Sequence, residues 1–375
     1  SLLPRVNNGD GAAKELGRTL WMTGTDSPEA CQLLFDALWA NGDLKASDGW
    51  LRARRQVATN KLNLARQTLS VMRVNANDAA GGLDAVLSKP IIYLERVGTP
   101  TDETQKELVT LALVRMARNE PSSAVSAIKR YGSGLDRSQQ EYVWGIIGWQ
   151  LGIQHSTEAL DAEKRSGTVL LPDDAMALRV RVALRAQDWS FVKKTIEAMH
   201  EPMINSPEWV YWLGRAYKAQ GRDSAADEQF QKIAGQPNFY GVLASEELGG
   251  SARLPNQAKP ITSDEIRAVE KQPGIRRALA MYRLDLRPEG AKEWSWALRG
   301  MNDRQLLAAA EVAQRNQIID RSISAADRTK DEHNYKLRFP TPYADKIMPH
   351  SDRQNLDKAW VYGLMRQESS FVTNA

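Results

Sequence analysis

"WVYWLGRAYKAQGRDSAADEQFQKI", Trp209 to Ile233, holds two apolar stripes with a break between them. Leu213, Gly214 and Tyr217 lie before the break, Ala226 and Phe230 after it. Three- and four-residue spacing puts each set on one face of a helix. Gly221 sits where the chain must turn back, and glycine supplies left-handed backbone without a Cβ clash. The segment reads as a helical hairpin, with small residues where the two helices approach closely. Weaker copies precede it: Leu111, Ala112, Ala124 and Ile128, then Ala159, then Val192 and Ile196. The anchors Ala124, Ala159, Val192 and Ala226 follow at intervals of 35, 33 and 34 residues. A period near 34 residues belongs to a stacked array of helical hairpins. An irregular helical bundle with accidental spacing is the alternative.

The hairpin resembles the tetratricopeptide unit in its Leu-Gly-x2-Tyr and Ala-x3-Phe spacing, although Val210 stands where that pattern has Trp. Helical periodicity runs through most of the chain, as in "LVTLALVRMA" and "ALRVRVALRA". No sustained alternation of strand type occurs, so the fold class is expected to be all-α. Trp144, Trp149, Trp189, Trp209 and Trp212 could stack sugars. At helical spacing, tryptophans more often pack one repeat on the next.

The array fades near "ASEELGGSARLPNQAKPITSDEI", whose glycines and prolines mark a linker at about 249–261. Thr262 and Glu265 then form a capping-box pattern that opens a new helix. The helices beyond abandon the 34-residue period, which makes residues 262–338 a second, small helical domain. Pro340 and Pro342 mark another boundary. The expected partition is 1–250 for the array, 262–338 for the linker domain and 339–375 for the start of a third domain. That last piece is too short to fold alone.

The chain has 375 residues, 42% of them hydrophobic and 26% charged, an ordinary globular balance. A net charge of +4 suits an anionic polymer but is too weak to argue for nucleic acid. Cys31 is the sole cysteine, which excludes an internal disulfide. His155, His200, His333 and His350 are scattered, so no metal site is expected. No apolar run approaches the roughly 20 residues of a membrane span.

One stretch carries chemistry. "AWVYGLMRQES" reads as a helix with Ser351 as its N-cap, ending near Ser370. Trp360, Val361, Leu364 and Met365 define an apolar face, and Glu368 falls four residues beyond Leu364 on that face. Burial there and the negative end of the helix dipole would both raise the pKa of Glu368. A glutamic acid that keeps its proton near neutral pH is what general-acid chemistry requires. A solvated Glu368, or one paired with Arg366, is the plainer reading of the same spacing.

"VYGLMRQESSF" resembles the first catalytic motif of the soluble lytic murein transglycosylases, through Arg366, Gln367, Glu368, Ser369 and Phe371. "LRFPTPYADKI" resembles that family's lead into its goose-lysozyme-like catalytic domain, and "SPEACQLLFDALWANG" (27–42) a segment of its helical ring domain. The resemblance implies a ring- or U-shaped α-superhelix, a linker domain and the N-terminal part of a catalytic domain. It implies Glu368 as sole catalytic acid/base and Ser369 as a substrate-binding residue. A helix-end serine satisfying local carbonyls is the alternative for Ser369. The implied reaction cleaves the β-1,4 bond between N-acetylmuramic acid and N-acetylglucosamine and leaves a 1,6-anhydro sugar, without cofactor or metal. The implied setting is the periplasm of a Gram-negative bacterium, with peptidoglycan strands and cell-wall synthesis proteins as partners. The family's motifs continue past residue 375, so this stretch is expected to be inactive although its parent is an enzyme. A helical-repeat adaptor and a hydrolytic muramidase on the same fold are the competing readings.

Overall fold

A computed structural model describes residues 2–23, 31–72, 82–169, 171–251 and 255–373. The fold is all-α, with 73% of residues in helices. Among the described residues, the β-type pairing is a single parallel bridge between Gln257 and His333. The chain divides into two compact units. One comprises Ser1–Ala234 and Asn238–Ala252, the other Gly235–Pro237 and Arg253–Ala375.

The first unit contains the hairpin array. Glu103–Asn119 pairs with Pro121–Tyr131, Arg137–Ile153 with Ala159–Arg165, Asp173–Arg185 with Trp189–Glu197, and Pro207–Ala219 with Asp223–Ile233. The four periodic anchors Ala124, Ala159, Val192 and Ala226 all lie in the second helix of a hairpin and are buried. Gly221 makes the expected left-handed turn, φ 71°. Within the last of these hairpins Gly214 must be small, because a Cβ there would lie 2.6 Å from the Phe230 ring.

The five tryptophans named above are core or core-flanking residues. Trp144 and Trp209 are buried, with the Arg165 and Arg181 guanidiniums 5.1 and 5.6 Å from their rings. Both belong to the core of the array. Of the helices before residue 98, those from Ala46 onward extend the array's core through Trp50, Leu69 and Tyr93, and those before it form a separate packed group. In that group Trp21 meets Phe35 edge-on, with ring centroids 5.1 Å apart. The stretch 27–42 resembling a ring-domain segment is seen from Cys31 onward, with Gln32–Ala40 helical. Residues 27–30 lie outside the described residues.

A buried ion pair crosses the array. Arg179 donates from Nε to Glu163 Oε2 (2.7 Å) and from Nη2 to Ser166 Oγ (2.7 Å). Glu163 Oε1 has no partner among the described residues. Burial pushes the Glu163 carboxyl up to about 7, against the pull of Arg179.

The second unit is built on Ser263–Glu270, Pro273–Arg283, Arg287–Ala297, Asp303–Arg315 and Ile319–Ala326. Its core includes Ile266, Leu279, Leu307, Val312 and the fully buried Trp294. The capping box is present: Glu265 N–H donates to Thr262 Oγ1 (3.3 Å), and Thr262 N–H donates to Glu265 Oε2 (2.8 Å). Residues 339–375 belong to this same unit. They form the helices Ala344–Arg353 and Lys358–Ser369.

Candidate functional site

The motif helix Lys358–Ser369 starts later than the sequence implied. Ser351 is not its N-cap. It is buried inside the preceding helix, where its Oγ donates to the Ile347 carbonyl (3.0 Å). That helix ends at Arg353, and Asn355 turns the chain with φ 51°. Asp357 then caps the motif helix, accepting from Trp360 N–H at 2.9 Å. A carboxylate at this position satisfies an orphan N–H and faces the positive end of the helix dipole. At the other end, Ser370 and Phe371 adopt left-handed backbone, φ 49° and 66°. This reversal folds the Phe371 ring back under the helix.

Tyr362 and Phe371 are buried, with ring centroids 6.0 Å apart, against Ile323 and the half-buried Ile347, Met348 and Met365. The Tyr362 hydroxyl donates to the Pro342 carbonyl (3.1 Å). Trp360 and Leu364 were expected in the core but are exposed, at 61% and 47%. Glu368, in line with them, is exposed too. The apolar stripe that carries the glutamate is therefore an open face. The burial expected around Glu368 is not supplied by the described residues, because Tyr362 and Phe371 on the other side take the core positions.

Arg366 lies on the buried side and does not pair with Glu368. Its Nη2 donates to Asp327 Oδ2 (2.7 Å), and its Nε donates to the Arg338 carbonyl (3.0 Å). Its guanidinium carbon sits 5.1 Å from the centre of the Phe339 ring. Asp327 caps the C-terminus of Ile319–Ala326 and also receives Arg338 Nε at 3.1 Å. Arg338 Nη1 faces Nδ1 of the buried His333 at 3.2 Å. Burial and the Arg338 charge lower the His333 pKa and so favour the neutral ring beside the guanidinium. Sequence reasoning missed Asp327, Arg338 and Phe339 in this role. Asp327 and Arg366 are 39 residues apart, and no local pattern links them.

Ser369 is half-buried, with Oγ 3.4 Å from the Met365 carbonyl. That is the local carbonyl contact its spacing allowed. The other late carboxylates are otherwise engaged or remote in role: Asp352 pairs with Lys358 (2.7 Å), Asp357 caps the helix, and Asp345 is exposed. A cavity of about 350 Å³ opens between Phe339–Thr341, Met348 and the helix residues Ala359, Tyr362 and Gly363. Glu368 is not in its wall. Among the described residues, no three His, Cys, Asp or Glu side chains gather as metal ligands. None of the described helices is long and apolar enough to cross a membrane.

Comparison with known proteins extends the resemblance over nearly the whole chain. The family model of the soluble lytic murein transglycosylase L domain matches residues 268–331, within the second unit. The soluble lytic murein transglycosylase of Escherichia coli strain K12 is 22% identical over 360 residues, 94% of this chain and 55% of its own length. That of Salmonella typhimurium LT2 is 22% identical over 96% of this chain and 56% of its own. The chain thus spans about half the length of these relatives. A solved structure of an inactive mutant of lytic transglycosylase Slt from Pseudomonas aeruginosa matches with a TM-score of 0.65 at 23% identity. The match covers 98% of this chain and 61% of that one. The 70-kDa soluble lytic transglycosylase, solved with bulgecin A, matches at 0.56 and 20% identity, over 98% of this chain and 60% of that one. These structural likenesses are likenesses of fold.

Proposed function

We propose that this chain is the helical-array and linker portion of a peptidoglycan lytic transglycosylase, with residues 339–375 opening its catalytic domain and Glu368 its acid/base. The observation that carries the reading is Glu368 on the open face of a helix whose opposite face is held by Tyr362, Arg366 and Phe371. The similarity to transglycosylases over nearly the whole chain supports the reaction class.

Two-carboxylate glycosidases need a second acidic group across the scissile bond. Asp352 and Asp357 are occupied by Lys358 and by the helix N-terminus. A single-carboxylate route fits better. Glu368 protonates the β-1,4 oxygen between N-acetylmuramic acid and N-acetylglucosamine as the C1–O bond breaks. The substrate's N-acetyl group stabilises the cationic C1. Glu368, now a base, takes the proton from the muramic C6 hydroxyl, whose oxygen bonds to C1. The product is the 1,6-anhydro sugar, and Glu368 ends with its proton restored. A carboxyl holds its proton near neutral pH when water is displaced around it. Trp360 and Leu364, exposed along the same face, provide apolar surface for a glycan strand or further chain to cover. Ser369 then lies one residue beyond the acid, as a site-lining hydroxyl. The substrate is the glycan strand of peptidoglycan, the compartment the periplasm, and cell-wall synthesis proteins are the partners in use.

Mass spectrometry of murein digested by the parent protein, with Glu368→Gln beside it, tests this. The substitution keeps shape and removes the proton cycle, so turnover should fall about 10²- to 10⁴-fold. Anhydro-muropeptides that vanish in the mutant are the expected result. Reducing ends lost in the mutant would instead mean a muramidase. A mutant of wild-type rate would remove Glu368 from the chemistry.

A further inference from the structure

We infer that Asp327 is a positioning residue for the reaction, clasping the Glu368 helix through Arg366 and Arg338; the inference rests on the assignment of Glu368 as acid/base. The clasp has one carboxylate and two guanidiniums. Asp327 Oδ1 accepts from Arg338 Nε at 3.1 Å, and Oδ2 accepts from Arg366 Nη2 at 2.7 Å. Arg366 Nε closes the ring onto the Arg338 carbonyl at 3.0 Å. Each oxygen of Asp327 thus holds a different arginine.

Arg366 precedes Glu368 by two residues. At 3.6 residues per turn, two residues are roughly 200° around a helix. A guanidinium fixed on one side therefore sets the direction of the carboxylate on the other. Tyr362, one turn before Arg366, holds the same side through Pro342. The two contacts fix the rotation of the helix about its own axis, and with it where Glu368 points. Charge-assisted hydrogen bonds suit this task, because they are short and directional. A displacement of about 1 Å at a reacting group can cost 10²-fold in rate.

Asp327 lies in the segment that matches the L-domain model, 268–331. Arg366 lies in the helix that carries the motif. The clasp therefore gives the linker element a task beyond connection: it sets the aim of the acid/base. Without the carboxylate, the Arg338 and Arg366 guanidiniums would face each other uncompensated. Like-charge repulsion would then push the motif helix away from its seat.

The test is steady-state turnover of soluble glycan strands by the parent protein, with Asp327→Ala, Asp327→Glu, Arg366→Lys and Glu368→Gln. Asp327→Ala should lower kcat at least tenfold with KM within threefold, and Asp327→Glu should recover most of the rate. A purely structural role would not produce that split with rescue. Circular dichroism melting reports whether each variant is folded. Should Asp327→Ala fail to fold, Arg366→Lys decides: it keeps the charge and loses the fork, so kcat should fall severalfold. Wild-type kcat in whichever of these two variants is folded overturns the inference. A kcat loss that Asp327→Glu does not repair overturns it as well. Should Glu368→Gln turn over at the wild-type rate, the acid/base assignment falls and the clasp has nothing to aim. A Glu368-dependent enzyme indifferent to Asp327 defeats the clasp alone.

Discussion

The hairpin array and the unit that follows it place their carboxylates in opposite ways. In the array, Glu163 is sealed off with Arg179, and Gly148 comes so close that a Cβ there would lie 2.7 Å from the Glu163 carboxyl carbon. In the second unit, Glu265 and the exposed Asp327 hold arginines, and Glu368 stands exposed without one among the described residues. A glutamate whose pKa is pushed up by burial is a common marker of a catalytic acid. Here that marker falls on Glu163, which sits inside a packed repeat interface and reaches no cleft. The motif glutamate has the opposite setting. Perturbation by burial identifies the structural carboxylate in this chain, whereas the candidate acid is identified by its presentation on a pinned helix.

Glu368→Gln and Glu163→Ala should separate these roles most widely. The first is expected to abolish nearly all turnover and leave the melting temperature unchanged. The second should do the reverse. Removing Glu163 leaves Arg179 buried with only Ser166 and the Val169 carbonyl as partners. Breaking a buried pair in this way costs roughly 3–5 kcal/mol, visible as a lower midpoint in urea. Activity per folded molecule of the parent protein should hold. Loss of turnover out of proportion to unfolding would place Glu163 in the functional machinery and end the contrast.

Gly214→Ala tests the array at smaller scale. The added methyl meets Phe230 at 2.6 Å, and Phe230 is fully buried with nowhere to retreat. Overpacking of this kind costs about 1–3 kcal/mol. Chemical denaturation should show that loss, with turnover by the folded parent protein unaffected. An unchanged midpoint would mean the hairpin opens without strain, and that the missing side chain at Gly214 is not what sets the approach of its two helices.

The two regions also differ in how readily they are read from sequence. The array repeats one contact, so its small anchors recur near every 34 residues and can be seen without a structure. The capping box at Thr262 was equally legible, because its partners are three residues apart. The start of the motif helix is not fixed by sequence alone, since Ser351 and Asp357 are both good capping residues. The left-handed Asn355 between them decides, and only the backbone reveals it. Which face of that helix is buried is not legible either, because Trp360 and Leu364 share helical spacing with a core stripe. Burial was decided by tertiary contacts of Tyr362 and Phe371, which periodicity does not report. The contacts Asp327–Arg366 and Glu265–Arg304 each join residues 39 apart and leave no sequence pattern at all.

The smallest expected effect concerns the second unit's other clasp. Arg304 donates from Nε and Nη2 to the two carboxylate oxygens of Glu265, each at 2.8 Å. That fork, with the Thr262 amide and hydroxyl, holds the Glu265 carboxyl down to about 2 from an ordinary 4.5. A carboxyl with a lowered folded-state pKa stabilises the fold while ionised in both states. The unfolded chain takes up its proton first as pH falls, so the contribution is present above about 4.5 and lost on the way down to about 2. Melting of wild type and Glu265→Gln should therefore differ at pH 6 and converge near pH 2. Because the pair is solvent-facing, the gap at pH 6 should be modest and should shrink in high salt. Curves that stay parallel down to pH 2 would mean the clasp adds no net stability. The ionised carboxylates of this unit would then matter for where they hold a helix and not for how firmly.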